Sequence, residues 1–294
     1  MFGEYLIIKK NGQIDTSKIL NEEEVIKRLQ GNRNKNFDFE ETVRSNDLFG
    51  KKLDMYLGIK KYVENIIKKN IMYKEIKTST IFYKNERLKK LQSLFGLNLF
   101  ECSNNLILRP ATDFGVFSLL QDSLIEISEL PIVYYEIGDC YRLEKEFDGS
   151  LIKSYSFEMP DMHVIAKYNF YDIVSKHLML YKCILDYYEF NYAFALRITQ
   201  REYDIYFDKL KKISETLNLD LFVNIIPFTI RYWEAKFKFV RINDRNTQVQ
   251  LSTVQVDYIS SEIFNFKSTE LKNLIVVHSS PGSIQRLLSS RLGE

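Results

Sequence analysis

The sequence predicts an α+β fold, a mainly antiparallel sheet flanked by helices. Two observations lead there. Short strands cluster after helices and return through tight turns, rather than alternating one by one with helices as in a doubly wound parallel sheet. The 294 residues are 45% hydrophobic and include 21 Phe and 19 Tyr, so one sizeable core can be buried.

Each element has its own signal. Residues 4–9 alternate like a short strand, Asn11-Gly12 supplies a turn, and residues 22–29 read as a helix. The polar, Asn-rich stretch 31–41 predicts an exposed loop or linker. Apolar positions at Leu57, Ile59, Val63, Ile66 and Ile67 predict a helix, followed by the strand-like run MYKEIKTSTIFY. Residues 106–109 read as a strand and residues 114–127 as helical, before a break at Leu130-Pro131. Strands over 133–143 and 155–166 flank a loop at 145–154. The longest helix is expected over 168–190, where Phe170, Val174, Leu178, Tyr181 and Leu185 recur at helical spacing. Strands over 192–198, 221–230, 236–241 and 249–258 follow, with a helix at 202–217 between the first two. A final strand at 274–277 precedes a helix that starts near Gly282.

Composition narrows the class. With 41 basic against 39 acidic residues, there is no global basic field of the kind a dedicated nucleic-acid-binding domain carries. The lysine clusters at Lys60–Lys61, Lys68–Lys69, Lys84–Lys90 and Lys209–Lys212 read first as solvated helix faces. Cys102, Cys140 and Cys183 are odd in number and lack CxxC spacing, which predicts a reducing, cytoplasmic setting. The start MFGEYLIIKKNGQ is too polar for a signal peptide, and no apolar run approaches membrane-spanning length.

Side chains two apart on a strand share a face. Arg142 and Glu144 therefore point together, as do Phe157, Met159, Asp161 and His163, and as do Thr253, Gln255 and Asp257. A sheet that covers a dry core does not carry polar rows on three strands; a sheet that lines a ligand pocket does. Taken singly, Arg142 with Glu144 is an ordinary ion pair, Phe157 a core residue, and GSIQR a helix start N-capped by Ser283. The information lies in their order and spacing.

In that order, the run 135–165 with its Arg-x-Glu, basic loop and returning Phe157 resembles the second signature of class II aminoacyl-tRNA synthetases. Gly282-Ser283 with Arg286 resembles the third, and the helix and strand after Leu57 resemble the first, with Ser79 near the place of its usual proline. The resemblance implies their catalytic core fold, use of ATP and Mg²⁺, and formation of an aminoacyl-adenylate. It also implies a homodimer. In adenylation the α-phosphate oxygens gain charge as the carboxylate attacks, and a guanidinium that cannot lose its proton is suited to hold it. Arg142 would be the α-phosphate clamp, with Arg286 a second cation near the departing phosphates. Glu144 would orient the adenine amino group or hold a neighbouring Arg, Phe157 would face the adenine ring, and Lys153 would reach the γ-phosphate.

FEMPDMH, LRPATDFGVF, RYWEAKFKF, LSTVQVDY and VVHSSPGSIQR together look most like threonyl-tRNA synthetases in their archaeal form. That resemblance runs from about Asp47 to the C-terminus. It predicts a small N-terminal extension at 1–46 and a catalytic domain at 47–294, without the family's anticodon-binding or editing domain. Carried over by position, Asp161 would bind the amino acid's hydroxyl or amino group, with Trp233 and Lys236 nearby and Gln250, Thr253 and Gln255 on the pocket floor. His163 and His278, two of only three histidines, fall on the family's zinc-binding positions. Asp113 stands where the family has its Cys ligand. Either Asp113, His163 and His278 hold Zn²⁺ or another harder cation, or Asp113 binds the substrate ammonium itself. Three readings follow: an enzyme that activates threonine or a similar amino acid and charges tRNA; one that passes it to a carrier protein or small molecule; or a non-catalytic paralogue that binds or regulates.

Overall fold

A computed structural model of the protein describes residues 4–16, 22–30, 48, 50–96, 98–143, 150–167, 170–243, 246 and 248–293. The chain opens with strands β1 (Glu4–Ile8) and β2 (Ile14–Asp15), then helices α1 (Glu22–Gln30) and α2 (Gly50–Asn70). Strands β3 (Lys74–Glu75) and β4 (Ile81–Tyr83), helix α3 (Glu86–Phe95), and strands β5 (Glu101–Cys102) and β6 (Leu106–Leu108) follow. Next come helix α4 (Asp113–Leu120), strand β7 (Leu124–Ile125), and the long hairpin strands β8 (Ile132–Tyr141) and β9 (Ser156–Ala166). Helix α5 (Phe170–Tyr187), strand β10 (Ala193–Thr199), helix α6 (Gln200–Leu217) and strand β11 (Leu221–Ile226) continue the chain. It closes with β12 (Trp233–Ile242), β13 (Gln248–Asp257), α7 (Ser260–Ile263), β14 (Lys267–Ser268), β15 (Ile275–Ser280) and α8 (Ile284–Leu292).

Ten strands form one sheet in the order β2-β1-β11-β10-β12-β13-β15-β9-β8-β3. Only the β10–β11 and β3–β8 pairs within it are parallel, so the expected mainly antiparallel α+β architecture is what the chain adopts. One face is apolar. Val164, Leu196, Phe237, Val254, Val256 and Val277 turn toward α2, α5, α6 and α8 in a single large core. Burial of such side chains stabilises the fold by roughly 1.5–3 kcal/mol each. A second cluster packs α3, α4 and α7 around Phe114, Phe117, Phe264 and Phe266. The polar face lies between these layers. The N-terminal strand β1 adds to the same sheet beside β11, and α1 lies against β10 and β12.

Some expectations needed correction. The longest helix among the described residues is α2 with 21 residues, not α5 with 18. It starts well before Leu57 because Tyr56 reaches the core and bonds Glu158. The helix expected to run to Ile127 stops at Leu120: Asp122 takes a φ of 58°, its N–H bonds Phe264, and Leu124–Ile125 pair with β14. A partner distant in sequence outcompeted local propensity there. The run after Met72 yields two short strands, because Thr78 leaves the strand path to donate its N–H and hydroxyl to Glu136. The stretch 31–41 lies outside the described residues.

Two register shifts shape the polar face of the sheet. One falls between Trp233 and Ala235, the other between Phe239 and Val240 opposite Gln250–Ser252. At the second, the Leu251 carbonyl presses so close to Gly282 that a Cβ there would stand 1.8 Å from the oxygen, and Gly282 has a φ of 96°. Only glycine meets both conditions. This seats Ser283, whose Oγ accepts from the Arg286 N–H at 3.3 Å as the N-cap of α8. Gly282→Ala should therefore cost about 2 kcal/mol or more in chemical denaturation. Gly293→Ala, left-handed but in open space, should cost clearly less; equal losses would mean the Leu251 contact is immaterial.

Candidate functional site

Antiparallel pairing lays a row of polar side chains across five strands of the open face. Arg197 on β10 opposes Lys236 on β12; Lys236 opposes Gln255 on β13; Gln255 opposes His278 on β15; and His278 opposes His163 on β9. Directly opposed residues share a face. The register shift at Trp233 lets it face the same way as Lys236, three positions on, and the shift near Leu251 does the same for Gln250 and Thr253. Together they wall a cavity of about 350 Å³.

The cavity gathers most of the residues singled out from the sequence. Arg142, Arg286, Gln250, Thr253, Asp161, Asp113, Trp233, Lys236, Gln255 and His278 all line it. Lys153, Phe157 and His163 do not, and Glu144 lies outside the described residues. Phe157 is buried beneath Arg142, whose guanidinium carbon stands 4.9 Å from the ring centroid. A small separate depression beside it is lined by Phe157 and Arg286.

The aim of Arg142 is set from the core. Arg109, with no exposed surface, donates to both Glu136 carboxylate oxygens and to the Asp139 carbonyl. That ties the LRPATDF segment to β8. The next carbonyl, Pro110, accepts from Arg142 Nε at 2.9 Å, and Arg142 lines the cavity. The same segment opens α4. Thr112 donates to Asp161 at 2.5 Å, and Asp113 in the first helical turn enjoys the positive end of the helix.

At the other end of the row, Asp113, His163 and His278 converge, with their ligand atoms all within 4.8 Å of one another. His278 donates from Nδ1 to Asp113 at 2.5 Å and from Nε2 to Asp257 at 2.8 Å. Burial opposes charging His278, but the two carboxylates prevail and push its pKa up to about 10. Burial likewise opposes ionising Asp113, yet His163 and His278 hold it well below the usual carboxylate range. Burial raises the Asp161 carboxyl, with Asp113 adding to the effect against His163. Phe117, one turn after Asp113, packs edge-on against both imidazoles.

These residues fit a divalent cation. Ligands around a zinc ion at about 2.0–2.2 Å lie a little over 3 Å apart, and His163 Nε2 stands 3.3 Å from Asp113 Oδ1. That Nε2 is buried without a hydrogen-bond partner. Asp257 behind His278 is the kind of outer carboxylate that orients a ligating imidazole. Binding would displace the Nδ1 proton of His278, so metal and proton compete.

Sequence reasoning missed Arg197, Lys238 and Tyr232, which also line the cavity. Lys238 was legible: in WEAKFKF the alternation that buries Ala235, Phe237 and Phe239 puts both lysines on the opposite face. Arg197 gave only the weak signal of one charge inside an apolar strand.

The profile of the class II tRNA synthetase core domain (G, H, P, S and T) matches residues 99–293. The chain is 27% identical over 206 residues to the threonine–tRNA ligase of Staphylothermus marinus, covering 66% of this chain and 34% of that protein. It is 30% identical over 210 residues to that of Methanoregula boonei, covering 65% and 33%. The chain thus spans about a third of the length of these curated relatives. Among solved structures, the RNA binding domain of threonyl-tRNA synthetase from Cryptosporidium parvum Iowa II superposes with a TM-score of 0.67 at 19% identity, covering 82% of this chain and 64% of that one. Seryl-tRNA synthetase from Pyrococcus horikoshii complexed with ATP gives 0.62 at 8% identity, covering 82% and 51%. At these identities the structural likeness establishes the fold alone.

Lys236 has a consequence for pH. Burial, then Lys238, Arg142, Arg286 and Arg197, push its pKa down to about 7. Folding thus carries its full cost below about pH 7, and the cost fades as pH climbs toward the ordinary lysine value of 10.5. Lys236→Met should raise the melting temperature at pH 6 and do so less at pH 9.5. Calorimetry that finds the same shift at both would remove Lys236 from this role.

Proposed function

Because the chain belongs to the class II tRNA synthetase core domain family, we propose that it activates an amino acid with ATP and transfers it to tRNA. The observation that carries this reading is one cavity lined both by the cations Arg142 and Arg286 and by Asp161, Asp113 and His278. An amino acid oriented by the carboxylates and the histidine has its own carboxylate directed toward the cations. That oxygen attacks the α-phosphorus, a carbonyl–oxygen–phosphorus linkage forms, and the bond to the β-phosphate breaks to release pyrophosphate. Acceptor hydroxyl then replaces AMP at the carbonyl carbon, with loss of a proton.

Arg142 clamps the α-phosphate as its charge grows, and Arg286 holds the departing phosphates or the adenine lying toward Phe157. Mg²⁺ accompanies the triphosphate and screens its charge. Glu144 is assigned the adenine amino group, and Lys153 the γ-phosphate. Asp161, ordered by Thr112, accepts from the amino acid's hydroxyl or ammonium. Zn²⁺, held by Asp113, His163 and His278, would act as a Lewis acid that grips the amino acid. Threonine or a similar amino acid is the proposed substrate, a reading supported by the likeness to threonine–tRNA ligases. A homodimer is supported by β3, an edge strand of the main sheet beside α2, next to Met72 at 92% exposure. No described helix is long and apolar enough to cross a membrane.

Amino-acid-dependent ATP–pyrophosphate exchange with a panel that includes threonine and serine tests the activity. Arg142→Ala should lower exchange about a hundredfold or more, since charge develops without its partner. Wild-type-like exchange in that variant would overturn the assignment, and no exchange by the wild type with any amino acid would leave the paralogue reading. Label transfer then identifies the acceptor: tRNA as proposed, a carrier-protein thiol if not. Chelation should weaken amino acid binding in calorimetry while leaving ATP binding nearly intact. An equal effect on both would argue against a metal at Asp113.

A further inference from the structure

One part of the cavity wall is not used by the activation step. At the end of the polar row farthest from the histidines, Arg197, directly opposite Lys236, and Lys238, two positions further along β12, border the cavity. A carboxylate from outside the sheet already touches them. Glu22, the first residue of α1, accepts from Lys238 Nζ at 3.1 Å and stands 3.8 Å from Arg197 Nη2.

The fit is incomplete. Arg197 Nε is buried without a hydrogen-bond partner, and Glu22 makes only one of its two cation contacts at hydrogen-bond distance. A flat carboxylate offers two oxygens in one plane. A forked guanidinium and an ammonium placed around one point suit a tetrahedral anion with more oxygens. The wall itself is rigid, because Arg197 and Lys238 stand on paired central strands of the sheet. Glu22 comes instead from a separate helix laid over β10 and β12.

We propose that Lys238 and Arg197 form a second phosphate-binding subsite of the cavity, and that Glu22 is its internal occupant, displaced when a ligand phosphate arrives. This rests on the amino acid activation reading, since it takes the cavity to be the nucleotide and acceptor pocket. The phosphate comes either from the nucleotide, as pyrophosphate, or from the terminal phosphodiester of the acceptor RNA. In both cases α1 couples to pocket occupancy: binding releases Glu22, and a docked Glu22 lowers affinity for the anion.

Calorimetric titration with inorganic pyrophosphate and with a short single-stranded RNA ending in CCA tests this without turnover. Glu22→Gln should tighten binding of at least one probe about threefold, the scale of releasing a partly exposed ion pair. Lys238→Met and Arg197→Met should each weaken that probe, and Glu22→Gln should give no gain once Lys238 is Met. A gain confined to pyrophosphate assigns the subsite to the nucleotide; one confined to RNA assigns it to the acceptor. If Glu22→Gln, Lys238→Met and Arg197→Met all leave both affinities unchanged while Arg142→Ala still weakens pyrophosphate, the subsite is refuted and the pocket reading stands. If the wild type binds neither probe and shows no exchange, both fall.

Discussion

The register among β12, β13, β15 and β9 is the constraint from which the site derives. Lys236, Gln255, His278 and His163 sit directly opposite one another, and each is flanked along its strand by a residue of the apolar core: Phe237, Val256, Val277 and Val164. A slip of one position would bury the charges and expose the valines. The hydrophobic layer beneath the sheet therefore holds the chemistry above it in place. Two local irregularities refine the result, bringing Trp233 and Gln250 to a face that strict alternation would deny them.

Charge is distributed unevenly and to a purpose. Deep ion pairs are closed networks: Arg109 with Glu136, and His278 between Asp113 and Asp257, where Asp257 also accepts from Ile259, Ser260 and the Ser260 hydroxyl. Such groups are costly to bury and persist only when fully partnered. Lys236 differs. Burial first, and then the neighbouring cations Lys238, Arg142, Arg286 and Arg197, depress its pKa. Stability given up at a binding site is a common trade. The carboxylate of Glu22 on α1 reaches the neighbouring Lys238 at 3.1 Å.

Much of the candidate site was legible because strand alternation converts spacing into geometry. Phe157, Met159, Asp161 and His163, and separately Thr253, Gln255 and Asp257, needed only a period of two to be grouped correctly. What alternation could not supply was the partner of each group. The carboxylate that would orient His278 is Asp257, known only once β13 was seen beside β15. Phe157 looked like an open aromatic face, yet Arg142 covers one side of it. The helix that should have run to Ile127 ended early because a distant strand claimed Leu124 and Ile125.

Sequence alone determined the α+β class, the strands that carry polar rows, the glycine before the last helix with its Ser283 cap, and the family likeness, since each is written in local periodicity or residue order. Tertiary structure decided which rows become neighbours, that Asp113 meets both histidines, and that Arg197 lines the cavity with Glu22 beside it. The reason is physical. Periodicity constrains one strand at a time, whereas the facing of one strand against another, and the reach of a helix across them, is settled only by how the whole core packs.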